Sequence, residues 1–183
     1  MLAVGGSLNA DHYGPAYYPP IAAEAQHARN LKSPYPLDAK DEPSTRRRTI
    51  YMFHKRVIQY PLMQAFDAPD ATASCAVRLN TTVAPQGLAI LNDRFVRLRA
   101  ADFARRLVRE KGDDLPAQVR RAFWLALSRA PNQAELQAST EFVRKQTASR
   151  QGRAGEASAD AALEALTDYC QSLLGLNEFI YVD

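Results

Sequence analysis

Asp114-Leu115-Pro116-Ala117-Gln118-Val119 opens one helix, and Ala130-Pro131-Asn132-Gln133-Ala134-Glu135 ends it and starts the next. Asp114 is a strong N-cap, because its carboxylate accepts from backbone N–H groups that the first turn leaves without partners. Pro116 fits only in that first turn. Val119, Ala122, Phe123 and Ala126 then recur at three- and four-residue spacing and form one apolar face. Pro131 removes a donor and stops the helix. Asn132 with Glu135 three residues on is a capping box. Two helices joined this tightly must lie side by side and antiparallel, so the chain reads as mainly α.

The same rules extend in both directions. Upstream, Thr82 is an N-cap with Pro85 in the first turn, and Leu88, Leu91, Phe95 and Leu98 read as one buried stripe. That helix is predicted from Ala84 to about Lys111, stopping at Gly112-Asp113. Downstream, the capping-box helix continues through Leu136, Val143 and Gln146 to a solvated linker at 151–156. A last helix starts near Ser158, turns Leu163, Leu166, Cys170 and Leu173 inward, and ends at Gly175. The expected fold is an antiparallel bundle of about four helices, with an irregular Pro-rich N-terminal arm and one or two short strands.

The arm covers residues 1–48 and the helical domain, with a short leading strand, residues 49–183. Gly5-Gly6, Gly14-Pro15, Pro19-Pro20, Pro34, Pro36 and Pro43 prevent regular ladders in the arm. Tyr13, Tyr17, Tyr18 and Tyr35 between them suggest a strap that packs, and a short helix fits Ile21 to Asn30. Thr49 to Ile58 is the strand candidate, rich in β-branched and aromatic residues. Its partner would be upstream sequence or Phe179-Ile180-Tyr181-Val182. Pro61 starts a helical turn through Phe66, and Asp67-Ala68-Pro69-Asp70 reads as a turn.

Net charge is only +3 over 183 residues, too small to imply a polyanionic partner. Every charged residue after Arg153 is acidic, whereas the middle is rich in arginine, so the last helix is expected to dock on basic helices. No helix-turn-helix, zinc-finger or RNA-binding signature accompanies the arginines, which argues against nucleic acid. No apolar run is long enough for a membrane span, and the first residues lack a signal peptide. Cys75 and Cys170 are too far apart for a CxxC pair, and whether they form a disulfide is open. His12, His27 and His54 make no HxH or HExxH spacing, so no metal site is expected.

Polar residues cluster in three apolar settings: the turn at 67–70, Leu91-Asn92-Asp93, and Asn177-Glu178 before Phe179. Such groups are costly to bury unless bonded, so each is a structural tie or part of a site. Asp67 and Asp70 could share a hard cation or act as an acid/base pair, or they could cap the next segment. Ala68, Ala71 and Ala73 supply no further oxygen ligands. Asn92-Asp93 reads as mid-helix, reaching toward Arg47, Arg56 or the Asp67 loop. Glu178, flanked by Leu176, Phe179 and Ile180, could be desolvated into a general acid, or be paired with a basic residue.

In order along the chain stand Arg47-Arg48-Thr49-Ile50-Tyr51, Lys55-Arg56, Phe66 to Asp70, Thr82-Val83-Ala84-Pro85-Gln86, Leu91-Asn92-Asp93 and Asn177 to Val182. This set resembles the C-terminal end of the domain of unknown function found in planctomycete cytochrome-c-like proteins. Gly5-Gly6-Ser7-Leu8-Asn9 and Tyr18-Pro19-Pro20 are similar to that family's middle stretch. The resemblance implies that Met1 falls within the domain, and that an upstream companion or cytochrome-type module is the partner. It also implies export, for example to the periplasm. Haem would belong to the upstream module and no cofactor to this chain. The family brings no established activity.

Two functions remain in view. One is a non-catalytic structural or interaction domain whose polar runs lock the fold. The other is a hydrolase acting on an anionic polysaccharide, with Asp67, Asp70 and Glu178 catalytic and Arg47, Arg56, Asn92, Asp93 and Asn177 binding substrate.

Overall fold

The computed structural model describes residues 1–21, 39–54, 59–69, 74–75, 84–154 and 158–181. The expected helix at 21–30, the Thr82 cap, Arg56 and Asp70 lie outside them. The helices are α1 (Leu2–Gly5), α2 (Pro61–Ala65), α3 (Ala84–Asn92), α4 (Arg94–Lys111), α5 (Leu115–Leu127), α6 (Gln133–Ala154), α7 (Ser158–Leu174) and α8 (Asn177–Ile180). The chain is therefore mainly helical, and it divides into two compact units. One holds Met1–Ser7 with Ile90–Asp183, the other Leu8–Ala89.

The first unit is a helical bundle. α7 packs against both α4 and α6, α5 packs against α4 and α6, and α1 rests on α4. Asp114 caps α5 by accepting from Ala117 N–H at 3.0 Å. The capping box at α6 forms as the spacing predicts: Glu135 N–H donates to Asn132 Oδ1 at 2.8 Å, and Asn132 N–H to Glu135 Oε2 at 2.7 Å. Gly112 closes α4 at φ 57°, a conformation that suits glycine. Val96, Ala100, Phe103, Ala104 and Leu107 from α4 meet a core that includes Val119, Ala122, Leu166, Cys170 and Leu174. Each fully buried large side chain stabilises by roughly 1.5–3 kcal/mol.

The expected charge match is present. Arg97 reaches from α4 to Glu164 and Asp168 on α7 at 2.5 and 2.6 Å, and Arg150 on α6 meets Asp168 at 2.6 Å. Gln171 on α7 donates to the Leu91 carbonyl at 2.9 Å. Residue numbers fall along α7 as they rise into α4, so these two helices are antiparallel.

Four local expectations about the helices are corrected. The helix after Ala84 is not continuous: Asp93 breaks it, with its side chain accepting from Phe95 N–H at 2.7 Å and Val96 N–H at 3.2 Å as the cap of α4. The buried stripe shifts accordingly, leaving Leu88 and Leu91 exposed while Ile90 and Val96 are buried. α6 runs on to Ala154, through residues read as linker. Phe179 and Ile180 belong to α8 rather than to a strand.

The second unit contains little regular structure among its described residues. Thr49–Tyr51 is a 3₁₀ turn, not the start of a strand. Among the described residues, pairing is limited to two parallel bridges, Asn9 with Arg47 and Tyr17 with Met52. Tyr17 N–H donates to Tyr51 O at 3.0 Å, and Phe53 N–H to Tyr17 O at 2.8 Å. The described tyrosine-bearing stretch 9–18 thus packs against the 46–53 segment, as a strap.

Candidate functional site

Arg47 is buried, and its guanidinium turns to main-chain carbonyls of the arm. It donates to Pro15 O at 2.9 Å, to Asp11 O at 3.5 Å and to Tyr13 O, with its Cζ 4.2 Å from the Tyr51 ring centroid. Arg48 lies within hydrogen-bond distance of His12 Nδ1, at 3.1 Å. The Tyr51 hydroxyl accepts from Tyr13 N–H at 3.2 Å. That bond, then Arg48, hold the Tyr51 phenol below its ordinary pKa. Burial pushes Tyr17 the other way. Arg47, His12, Tyr13 and Tyr17 line an open groove of about 900 Å³, together with Asp11, Tyr18, Lys40, Glu42, Ser44 and other residues of 9–18 and 39–45. A smaller cavity of about 470 Å³, lined by residues of α5 and α6, includes Arg120, Glu141 and Arg144.

Asp67 follows α2 in the left-handed region at φ 54°, which aspartate tolerates better than most residues. The turn is tied by Asp67 N–H to Gln64 O at 3.2 Å and Ala68 N–H to Met63 O at 3.0 Å. Asn92, exposed, ends α3, and Asp93 caps α4. Asn177, also exposed, is the first residue of α8.

Glu178 sits in an ion cluster. Arg129 Nε and Nη2 reach its two carboxylate oxygens at 2.6 and 3.0 Å, and Nη1 and Nη2 reach Glu135 at 2.9 and 2.7 Å. Phe123 supports the guanidinium from 5.3 Å. One fork therefore ties the α5–α6 junction to α8. The hydrogen bonds from Arg129 lower the Glu178 pKa, the opposite direction to a desolvated acid. They also lower Glu135, which accepts from Asn132 as well, to about 2. Asp93 accepts from Phe95 and Val96 N–H, whereas this cluster is built from the bonds of Arg129 with Glu135 and Glu178.

The cluster predicts acid sensitivity. Both carboxyls have folded pKa values below the ordinary 4.5, so their contribution is complete above pH 4.5 and fades as pH falls toward 2. Urea midpoints of wild type and Arg129→Met measured across that range should converge on acidification. A constant gap would mean that the cluster does not control stability. The cluster is half exposed, so the effect should be modest.

The groove was not anticipated, although its signal was visible in the tyrosines spaced through the arm. Arg129 was missed as the partner of Glu178, because only fold geometry brings the α5–α6 junction to the C-terminal segment. Among curated proteins and among solved structures no match was found. Residues 1–143 match the family PSD1, described as protein of unknown function (DUF1553), a span that includes the groove and α4 but not Glu178, and the chain belongs to that family.

Proposed function

We propose that this chain is a non-catalytic structural and interaction domain whose polar runs are internal ties. The Arg129 cluster carries this reading. A general acid must hold its proton near the working pH, whereas Glu178 is engaged through both oxygens by a guanidinium that favours its anion. Arg47, which the hydrolase reading needs on substrate, is turned to main-chain carbonyls instead. The ordered motifs support a setting in an exported, cytochrome-associated planctomycete protein, with the upstream portion or a cytochrome-type module as partner. Haem would belong to that module. The sequence has no CxxCH haem attachment motif.

Incubation of the purified chain with polygalacturonate and with nitrophenyl glycosides tests the reading. No product above the buffer control is expected, and Glu178→Gln should only lower the urea midpoint slightly. Turnover that disappears in Glu178→Gln would overturn it in favour of the hydrolase.

A further inference from the structure

Tyr13 combines two unusual properties. Its side chain is 84% exposed, yet its backbone is held at φ 66°. A bulky residue in the left-handed region is strained, and such strain persists only where the surroundings impose it. Here they do: Tyr13 N–H is tied to the Tyr51 hydroxyl, and its carbonyl to the buried Arg47. Gly14 is also left-handed, at φ 88°, with open space where a Cβ would stand. Glycine or asparagine at position 13 would meet the same dihedral at less cost. The loop instead carries a ring that contributes little packing, above a rigid clamp.

That ring stands on the rim of the 900 Å³ groove. His12 lies 6.3 Å from it, centroid to centroid, and Tyr17 and Tyr18 also line the groove. Ser44 and Glu42 line the groove as well, with Ser44 Oγ donating to Glu42 at 3.0 Å. The charges around the groove are balanced, with Asp11 and Glu42 against Lys40 and Arg47, so no polyanion is favoured. Aromatic faces beside carboxylates and a hydroxyl suit a ligand with apolar C–H faces and hydroxyl edges, the pattern of a pyranose ring.

We propose that this groove binds a neutral oligosaccharide, with Tyr13 stacked on a sugar ring and Asp11, Glu42 and Ser44 receiving its hydroxyls. The proposal rests on the interaction-domain reading, for which it supplies a ligand class. Calorimetric titration of the full chain with cellohexaose, xylohexaose and mannohexaose tests it, with hexagalacturonate as the anionic comparison. Wild type should bind at least one neutral hexamer saturably. Tyr13→Gly should bind about tenfold or more weakly, and Tyr13→Phe as well as wild type. The Tm of Tyr13→Gly should equal or exceed that of wild type, because the strain is relieved. Binding to no neutral hexamer, preference for hexagalacturonate, or unchanged affinity in Tyr13→Gly overturns the proposal. Should Tyr13→Gly not fold, Tyr13→Asn accepts the same dihedral and gives the same readout. Cleavage of a hexamer would overturn the non-catalytic reading, while the Tyr13 series would still decide the groove.

Discussion

Arg47→Ala is expected to destabilise the protein by about 3 kcal/mol, because it leaves several carbonyls without the charged donor they share. Arg47 is buried at 8% exposure, and its fork meets the carbonyls of Asp11, Tyr13 and Pro15, residues alternating along one loop. No neutral side chain offers that many coplanar donors. The cation also lies against the Tyr51 ring at 4.2 Å, an arrangement that adds more when water is excluded. Arg47→Lys should fall between wild type and Arg47→Ala, since an ammonium keeps the charge but not the fork. Urea denaturation gives the size of the loss. Amide exchange gives its location: protection should fall first at Tyr13 and Tyr17, whose N–H groups bond Tyr51. A loss under about 0.5 kcal/mol, the range of ordinary surface changes, would mean that water replaces the arginine at these carbonyls.

The same residue shows where sequence reading reaches its limit. Arg47 was legible as one of three consecutive arginines, and a basic turn that could grip an anion was a fair reading of that run. Its actual acceptors lie more than thirty positions away along the chain, and nothing local encodes the encounter. Helix ends behave differently. Asp114, Asn132 with Glu135, and Gly112 act on neighbours within a turn, so the residues that define these ends also identify them. Asp93 follows the same chemistry but was hidden by context. Apolar residues continue on both sides at helical spacing, so a one-residue interruption leaves the pattern looking unbroken while the buried face rotates away from Leu88 and Leu91. Docking of the acidic last helix was readable because charge complementarity between long segments needs no exact register. The pairing of Glu178 with Arg129 does need register, and only the folded bundle supplies it.

Asp102→Ala is expected to cost about 3 kcal/mol, because it removes the carboxylate beside a deeply buried arginine. Arg99 is 1% exposed, its guanidinium lies 3.2 Å from Asp102 and 5.3 Å from the Phe95 ring centroid, and α4 carries all three residues. Asp102 also meets Arg105 at 3.3 Å, but that arginine is 61% exposed, and exposed pairs contribute little. Arg105→Ala should therefore change stability by less than about 0.5 kcal/mol. Alanine at 102 keeps its Cβ, which stands 3.3 Å from where a side chain at Gly5 would begin, beside the Arg99 carbonyl oxygen at 3.2 Å. The seat of α1 on α4 should survive the substitution. The decisive variant is the double one. Arg99→Met with Asp102→Ala removes the buried charge and fills most of its volume, and such replacements are often neutral or better. The double variant should recover most of the loss of Asp102→Ala, giving a coupling energy of about 2 kcal/mol in a double-mutant cycle by urea denaturation. Additive losses would mean that Arg99 is held by its other surroundings and that the ion pair is incidental. Recovery would mean that the buried Arg99 depends on the counter-charge that its own helix supplies three residues on.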